Sequence, residues 1–223
     1  MATPWIRGVQ QTGQLTVFPG PGLLRAAAWG DALFNRILDE FNRLATVNRF
    51  GVRLVRNGNA PDPNGGGANV QVEVSNGTHT FFDTSGNPTS GTLNVSPGQM
   101  HGITHGLTFS SGASPKLARA FVFVPANPVL GAGQRGLGIG PKMGLTLHEL
   151  LHACGLSSSD PGHTSSLSAG DIYMTGAIVD AGVTPDRDQF LFGSRREPNA
   201  AGQFTLNAST VQVVQSVWLF GQF

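Results

Sequence analysis

The chain has 223 residues and one cysteine, so it is long enough to bury a sizeable core but cannot form an internal disulfide framework. Hydrophobic residues make up 39%, charged residues only 12%, and the net charge is +1. That balance, with no basic run beyond Arg195-Arg196 and no apolar stretch of membrane-spanning length, excludes a nucleic-acid or membrane partner as the expectation.

In chain order, residues 1–22 read as an extended segment in which Leu15, Val17 and Phe18 make a short strand, broken by Pro19-Gly20-Pro21-Gly22. Residues 23–48 carry apolar side chains at helical spacing, from Leu24 through Phe34, Ile37, Leu38 and Phe41 to Leu44, and are predicted as one helix. Residues 51–56 form a strand, 57–68 a loop, and alternating Val70, Val72 and Val74 a half-buried strand. Segments 79–82, 92–95 and 103–109 are short strands, and the apolar run Ala120–Val124 suits a central one. A glycine-rich loop at 131–140 precedes a helix opened by Pro141 and ended near Gly155, a residue type favoured just past a helix C-terminus. Residues 156–204 are mostly irregular. A last helix spans about 209–219, with Ser209 and Gln212 as its capping box. Helix, several strands, helix, irregular segment, helix is an α+β order.

The chemistry concentrates in His148-Glu149-Leu150-Leu151-His152. On a helix, residues four apart stand one above the other, so two imidazoles can address one metal ion. Glu149 lies beside the first ligand, where a carboxylate can act as general base on a zinc-activated water. From the chain's own His and Glu frequencies, chance yields this pattern about 0.003 times per chain, which favours a site over two packed or exposed histidines.

Gly155 follows His152 by three residues, and the run HELLHACGLSSSDPGH resembles the extended motif HExxHxxGxxH of the metzincin clan of zinc peptidases, its matrixin-like members among them. The resemblance implies a twisted mixed sheet with two helices in the N-terminal part and an irregular C-terminal part ending in a helix. It also implies a third ligand, a methionine turn and a zinc-dependent endopeptidase activity on a protein or peptide. One metallopeptidase domain then covers 1–223, with 1–155 as the N-terminal subdomain bearing the catalytic helix and 156–223 as the C-terminal one. The third histidine's place is taken by Ser158, and His163 comes five residues later. A small insertion, SSSDP, lengthens the turn so that His163 fills the role; Asp160 is the alternative ligand. Met174 in Asp171-Ile-Tyr-Met-Thr-Gly176 is the methionine-turn candidate, against a plain core residue. Gly176 stands where relatives often carry a tyrosine, and the only tyrosine is Tyr173.

Other features give weaker signals. A thermolysin-like third ligand would have to be Glu197, in a loop-like segment before Pro198. Matrixin-like domains often hold a second, structural zinc on loop histidines, for which His101 and His105 are candidates, though both could simply face outward. Asp62 and its glycine-rich loop leave calcium open, without an EF-hand pattern. Cys154 reads as a small buried hydrophobe. The letters GxGxxG at 131–136 lack a βαβ setting.

The leading expectation is an endopeptidase whose substrate pairs with an edge strand lying between 92 and 109, with a specificity pocket from residues 177–205. The rival is a non-catalytic structural or binding module of a larger assembly that keeps the zinc site. A third reading has residues 1–22 covering the cleft of a latent enzyme. The N-terminus lacks a secretory leader pattern, so the compartment is either the cytoplasm or one reached after a leader is removed.

Overall fold

The computed structural model describes residues 2–62, 66–75, 78–82, 88–94, 102–110, 115–130, 135–160, 163, 172–174 and 204–220. Apolar residues at every second position build its main sheet. Leu15 and Val17 of β1 (Gln14–Pro19), Val70 and Val72 of β3 (Val70–Ser75), and Ala120 and Val122 of β7 (Pro115–Pro125) are fully buried. With β2 (Arg53–Arg56) and β6 (Ile103–Ser110) they form five strands in the order β2-β1-β3-β7-β6. The first four are parallel, and β6 lies antiparallel to β7 at the edge. An edge strand is therefore found in the segment where substrate pairing was expected. β4 (Thr78–Phe82) and β5 (Pro88–Asn94) make a separate antiparallel pair, as do β8 (Val129–Leu130) and β9 (Arg135–Gly136). This is a mixed sheet in an α+β arrangement, as the element order predicts.

Among the described residues there are five helices: α1 (Arg7–Gln10), α2 (Pro21–Arg25), α3 (Asp31–Val47), α4 (Ile139–Ala153) and α5 (Ala208–Trp218). None is long and apolar enough to cross a membrane. The single helix predicted over 23–48 is in fact two. Its periodicity runs on, but Ala26 is extended, Gly30 takes φ +94°, and the chain turns so that Trp29 can bury its ring. Trp29 Nε1 donates to Pro125 O at 2.9 Å, and Lys142 Nζ of α4 donates to Ala28 O at 2.7 Å. The turn thus joins the end of β7 to the helix that carries the site.

The N-terminal residues are part of the core. β1 lies between β2 and β3, and Trp5, fully buried, donates from Nε1 to Ala153 O at 2.8 Å. Ile6 N donates to Leu117 O and Leu117 N to Pro4 O, which pins the segment to β7. A detachable cover over the cleft, the latent-enzyme reading, does not fit residues held this way.

The C-terminal end returns to brace the same region. Trp218 Nε1 of α5 donates to Cys154 O at 2.9 Å, just past α4. Arg43 of α3 binds Glu40 and donates to Phe204 O at 2.7 Å, on β11 (Phe204–Leu206), which pairs with β10 (Ile172–Met174). The expected capping box at Ser209 and Gln212 is displaced by two residues. Asn207 is the N-cap, and its Oδ1 accepts from Thr210 N at 2.7 Å. Asn207→Ala should lower stability by about 1 kcal/mol and Asn207→Ser should recover most of it, read from urea midpoints; equal midpoints for the wild type and the alanine variant would show that the cap contributes nothing.

Candidate metal centre

Helix α4 is buried almost all round, as a helix inside a core must be. Leu147, Leu150 and Leu151 are at most 2% exposed and lock it against the sheet and α3. His148 and His152 are among the few half-exposed positions, one turn apart on the same face. The packing of the leucines therefore fixes the direction in which both imidazoles point.

The helix ends in a Schellman turn. Gly155 takes φ +106°, its N–H donates to His152 O at 2.9 Å, and Leu156 N–H donates to Leu151 O at 3.2 Å. Only glycine fits, because a Cβ would stand 2.6 Å from Thr3 O in a left-handed backbone conformation. The turn has a direct effect on a ligand: it delivers Leu156 O to within 2.8 Å of His152 Nδ1. A carbonyl can only accept, so Nδ1 carries the proton and Nε2 of His152 presents its lone pair. This is the support from outside the ligand set that metal-binding histidines ordinarily have.

The inserted residues then bring the chain back. Asp160 Oδ2 accepts from Ser157 N at 2.8 Å, Asp160 N donates to Ser157 O at 3.0 Å, and His163 N donates to Asp160 O at 3.2 Å. Asp160, the alternative ligand, is absent from the histidine group; its carboxylate closes the turn that returns His163. The imidazoles of His148, His152 and His163 meet, with ligand atoms all within 4.8 Å of one another. Nε2 of His152 lies 3.2 Å from Nε2 of His148 and 3.1 Å from Nε2 of His163.

These distances fit a shared metal ion. A tetrahedral ion with bonds of 2.0–2.1 Å to nitrogen holds its ligands about 3.3 Å apart. Hydrogen bonding among the rings serves them less well, since one in-plane lone pair on His152 cannot accept well from two neighbours. The three histidines can therefore bind a metal ion.

Glu149 is buried, 4% exposed, between α4 and the edge strand. Thr104 Oγ1 of β6 lies 2.7 Å from its Oε2 and 2.8 Å from its main-chain O, and Gly102 packs against its side chain. Neither residue was singled out from sequence, because nothing local to a threonine and a glycine 45 and 47 positions upstream signals a contact that depends on how α4 lies across β6.

The remaining candidates divide. β10 lies beside α4, so the Met174 backbone is near the helix, paired with Phe204; the Met174 side chain is outside the described residues. His101, Gly176, Glu197 and residues 177–203 are also outside them. His105 is half-buried on β6, and burial holds its pKa below the usual histidine value. Among the described residues the three-histidine group is the only cluster of potential ligands, so neither His105 nor Asp62 joins one. Cys154 is fully buried in the core, and burial pushes its thiol pKa up.

Two outcomes follow from this geometry. Titrated with zinc or cobalt, the protein should bind one ion per chain; His163→Ala should weaken binding by more than ~100-fold, whereas Asp160→Asn should keep one ion per chain. The reverse ranking would make Asp160 the ligand. A thiol reagent should label Cys154 only on unfolding, and rapid labelling of the native protein would contradict its burial. No family model matches the chain, and no curated protein or solved structure does either; the chemistry of the centre is carried by its own residues and their geometry.

Proposed function

We propose that the chain is a zinc-dependent endopeptidase with a metzincin-like fold. The observation that carries this reading is the convergence of His148, His152 and His163 around one point, with Glu149 next to the first ligand. Three imidazoles suit zinc, copper, iron or nickel. The choice of zinc comes from the helix motif, which pairs two of the ligands with a carboxylate. A metal scaffold has no need of a carboxylate beside its first ligand, whereas a hydrolytic centre needs one there as a base.

When bound, zinc would lower the pKa of a water molecule and polarise the peptide carbonyl. The protein's own groups do the rest. His152 is held in one tautomer by Leu156 O, so its metal-binding nitrogen is fixed in aim. Glu149 takes the proton of the attacking water and returns it to the leaving amine. β6, the last strand of the five-stranded sheet among the described residues and antiparallel to its neighbour, is where β-augmentation would align an extended peptide beside α4. The helix crossing the sheet, the glycine turn after it and the returning third histidine support the metzincin-like assignment.

The test uses an unfolded protein substrate and the zinc-loaded chain. Cleavage should disappear with a chelator and return with zinc. Glu149→Gln should still bind one zinc and lose activity by about 10²–10⁴-fold. A zinc-loaded wild type that cuts no peptide in a broad library, and behaves like Glu149→Gln in every assay, would establish the non-catalytic module instead.

A further inference from the structure

Glu149 is held from two sides, and only one of them is its own helix. Thr104 Oγ1 lies 2.7 Å from Glu149 Oε2 and 2.8 Å from Glu149 O. The hydroxyl has a single proton and two acceptors belonging to the same residue, so rotation about its C–O bond keeps it bonded to Glu149 in either setting. Gly102, the residue just before β6, leaves room for the rest of the side chain. A Cβ at Gly102 would stand 2.7 Å from Glu149 Cγ, 3.1 Å from Glu149 Cδ and 2.7 Å from Phe123 O. The Phe123 oxygen is main-chain and belongs to the inner strand β7, so it cannot give way as a side-chain tip would. The carboxylate is thus confined between a missing Cβ and a hydroxyl, both supplied by the edge of the sheet.

We infer that Gly102 and Thr104 form a seat at the start of the edge strand that positions the Glu149 carboxylate, with the Thr104 hydroxyl as the positioning group. The inference rests on the reading of Glu149 as the general base. A purely structural role would have Thr104 satisfy a buried oxygen and contribute stability alone. Positioning predicts more. The hydroxyl matters and the methyl does not, the metal environment changes when the hydroxyl is lost, and the loss falls on kcat. Partners of this kind, one step removed from the metal, typically change activity or affinity by 10–100-fold.

The experiment compares wild type, Thr104→Val, Thr104→Ser and Gly102→Ala, each loaded with cobalt(II) as the spectroscopic stand-in for zinc. The readouts are bound cobalt per chain, the visible d–d spectrum, and kcat and KM on the peptide that the wild type cuts. Thr104→Val should bind one cobalt, show d–d bands shifted from wild type, and lose about 10–100-fold in kcat with KM little changed. Thr104→Ser should restore both spectrum and kcat. Gly102→Ala should resemble Thr104→Val although its hydroxyl is intact, and it carries the test should Thr104→Val fail to fold. A wild-type spectrum in Thr104→Val or Gly102→Ala, or a Thr104→Ser variant as impaired as Thr104→Val, overturns the inference. A wild type that cuts nothing, with the spectral pattern as expected, overturns the peptidase reading and leaves the seat standing. A chain that takes up no cobalt overturns both.

Discussion

Three imidazoles converging on a shared point, with His152 Nε2 3.2 Å from that of His148 and 3.1 Å from that of His163, are the constraint on which the rest of this structure turns. Lone pairs that converge without a cation repel, and the side chains bearing them are free to rotate away in any chain that does not hold them. This chain holds each one by a different device. The leucine packing of α4 aims His148 and His152. The Schellman turn supplies a carbonyl that fixes the tautomer of His152. A closed turn through Asp160 sets the return of His163. All three devices are made by the fold outside the ligand set, so they lower the cost of organising the imidazoles around an ion.

The supports beneath those devices come from both ends of the sequence. Thr3 and Trp5 bond to Gly155 and Ala153, and Trp218 bonds to Cys154, so the last turn of α4 is gripped by the first and last described segments of the chain. Cys154 sits inside that grip as a small apolar side chain. A centre braced in this way is sensitive to distant substitutions, because loosening either end frees the turn that orients His152.

Much of this was legible in the sequence because it is local. HELLH depends only on helical spacing, Gly155 only on a helix needing an end, and the five strands of the main sheet only on alternating or continuous apolar runs. The break at Ala26–Gly30 was not legible, because the apolar period continues across it. What ends the helix is the burial of Trp29 against Pro125, a contact nearly a hundred residues away. Asn207 displaced Ser209 as the cap for a nearer reason: helix ends shift by a residue or two, and asparagine caps as well as serine does. The departure from the HExxHxxGxxH spacing was legible as an insertion. His163 was the expected third ligand and Asp160 the alternative, and the geometry sides with the first: His163 joins the other two imidazoles, whereas Asp160 closes the turn that returns it.

The parts of the site that spacing could not reveal are the ones that pair an edge strand with a helix. A glycine and a threonine two apart carry no signature of their own. Their significance arises because β6 runs antiparallel to β7 at the border of the sheet and α4 crosses it, bringing Glu149 against Gly102, where a Cβ would collide with it. The same strand ends the five-stranded sheet among the described residues, so a peptide that added to β6 would bind directly to the element that seats the carboxylate. Recognition and catalysis would then share one strand, and any force that straightens or shifts β6 moves the Thr104 hydroxyl with it. That coupling would follow from topology rather than from residue type, because in this fold the edge proposed to receive a substrate is also the support for Glu149.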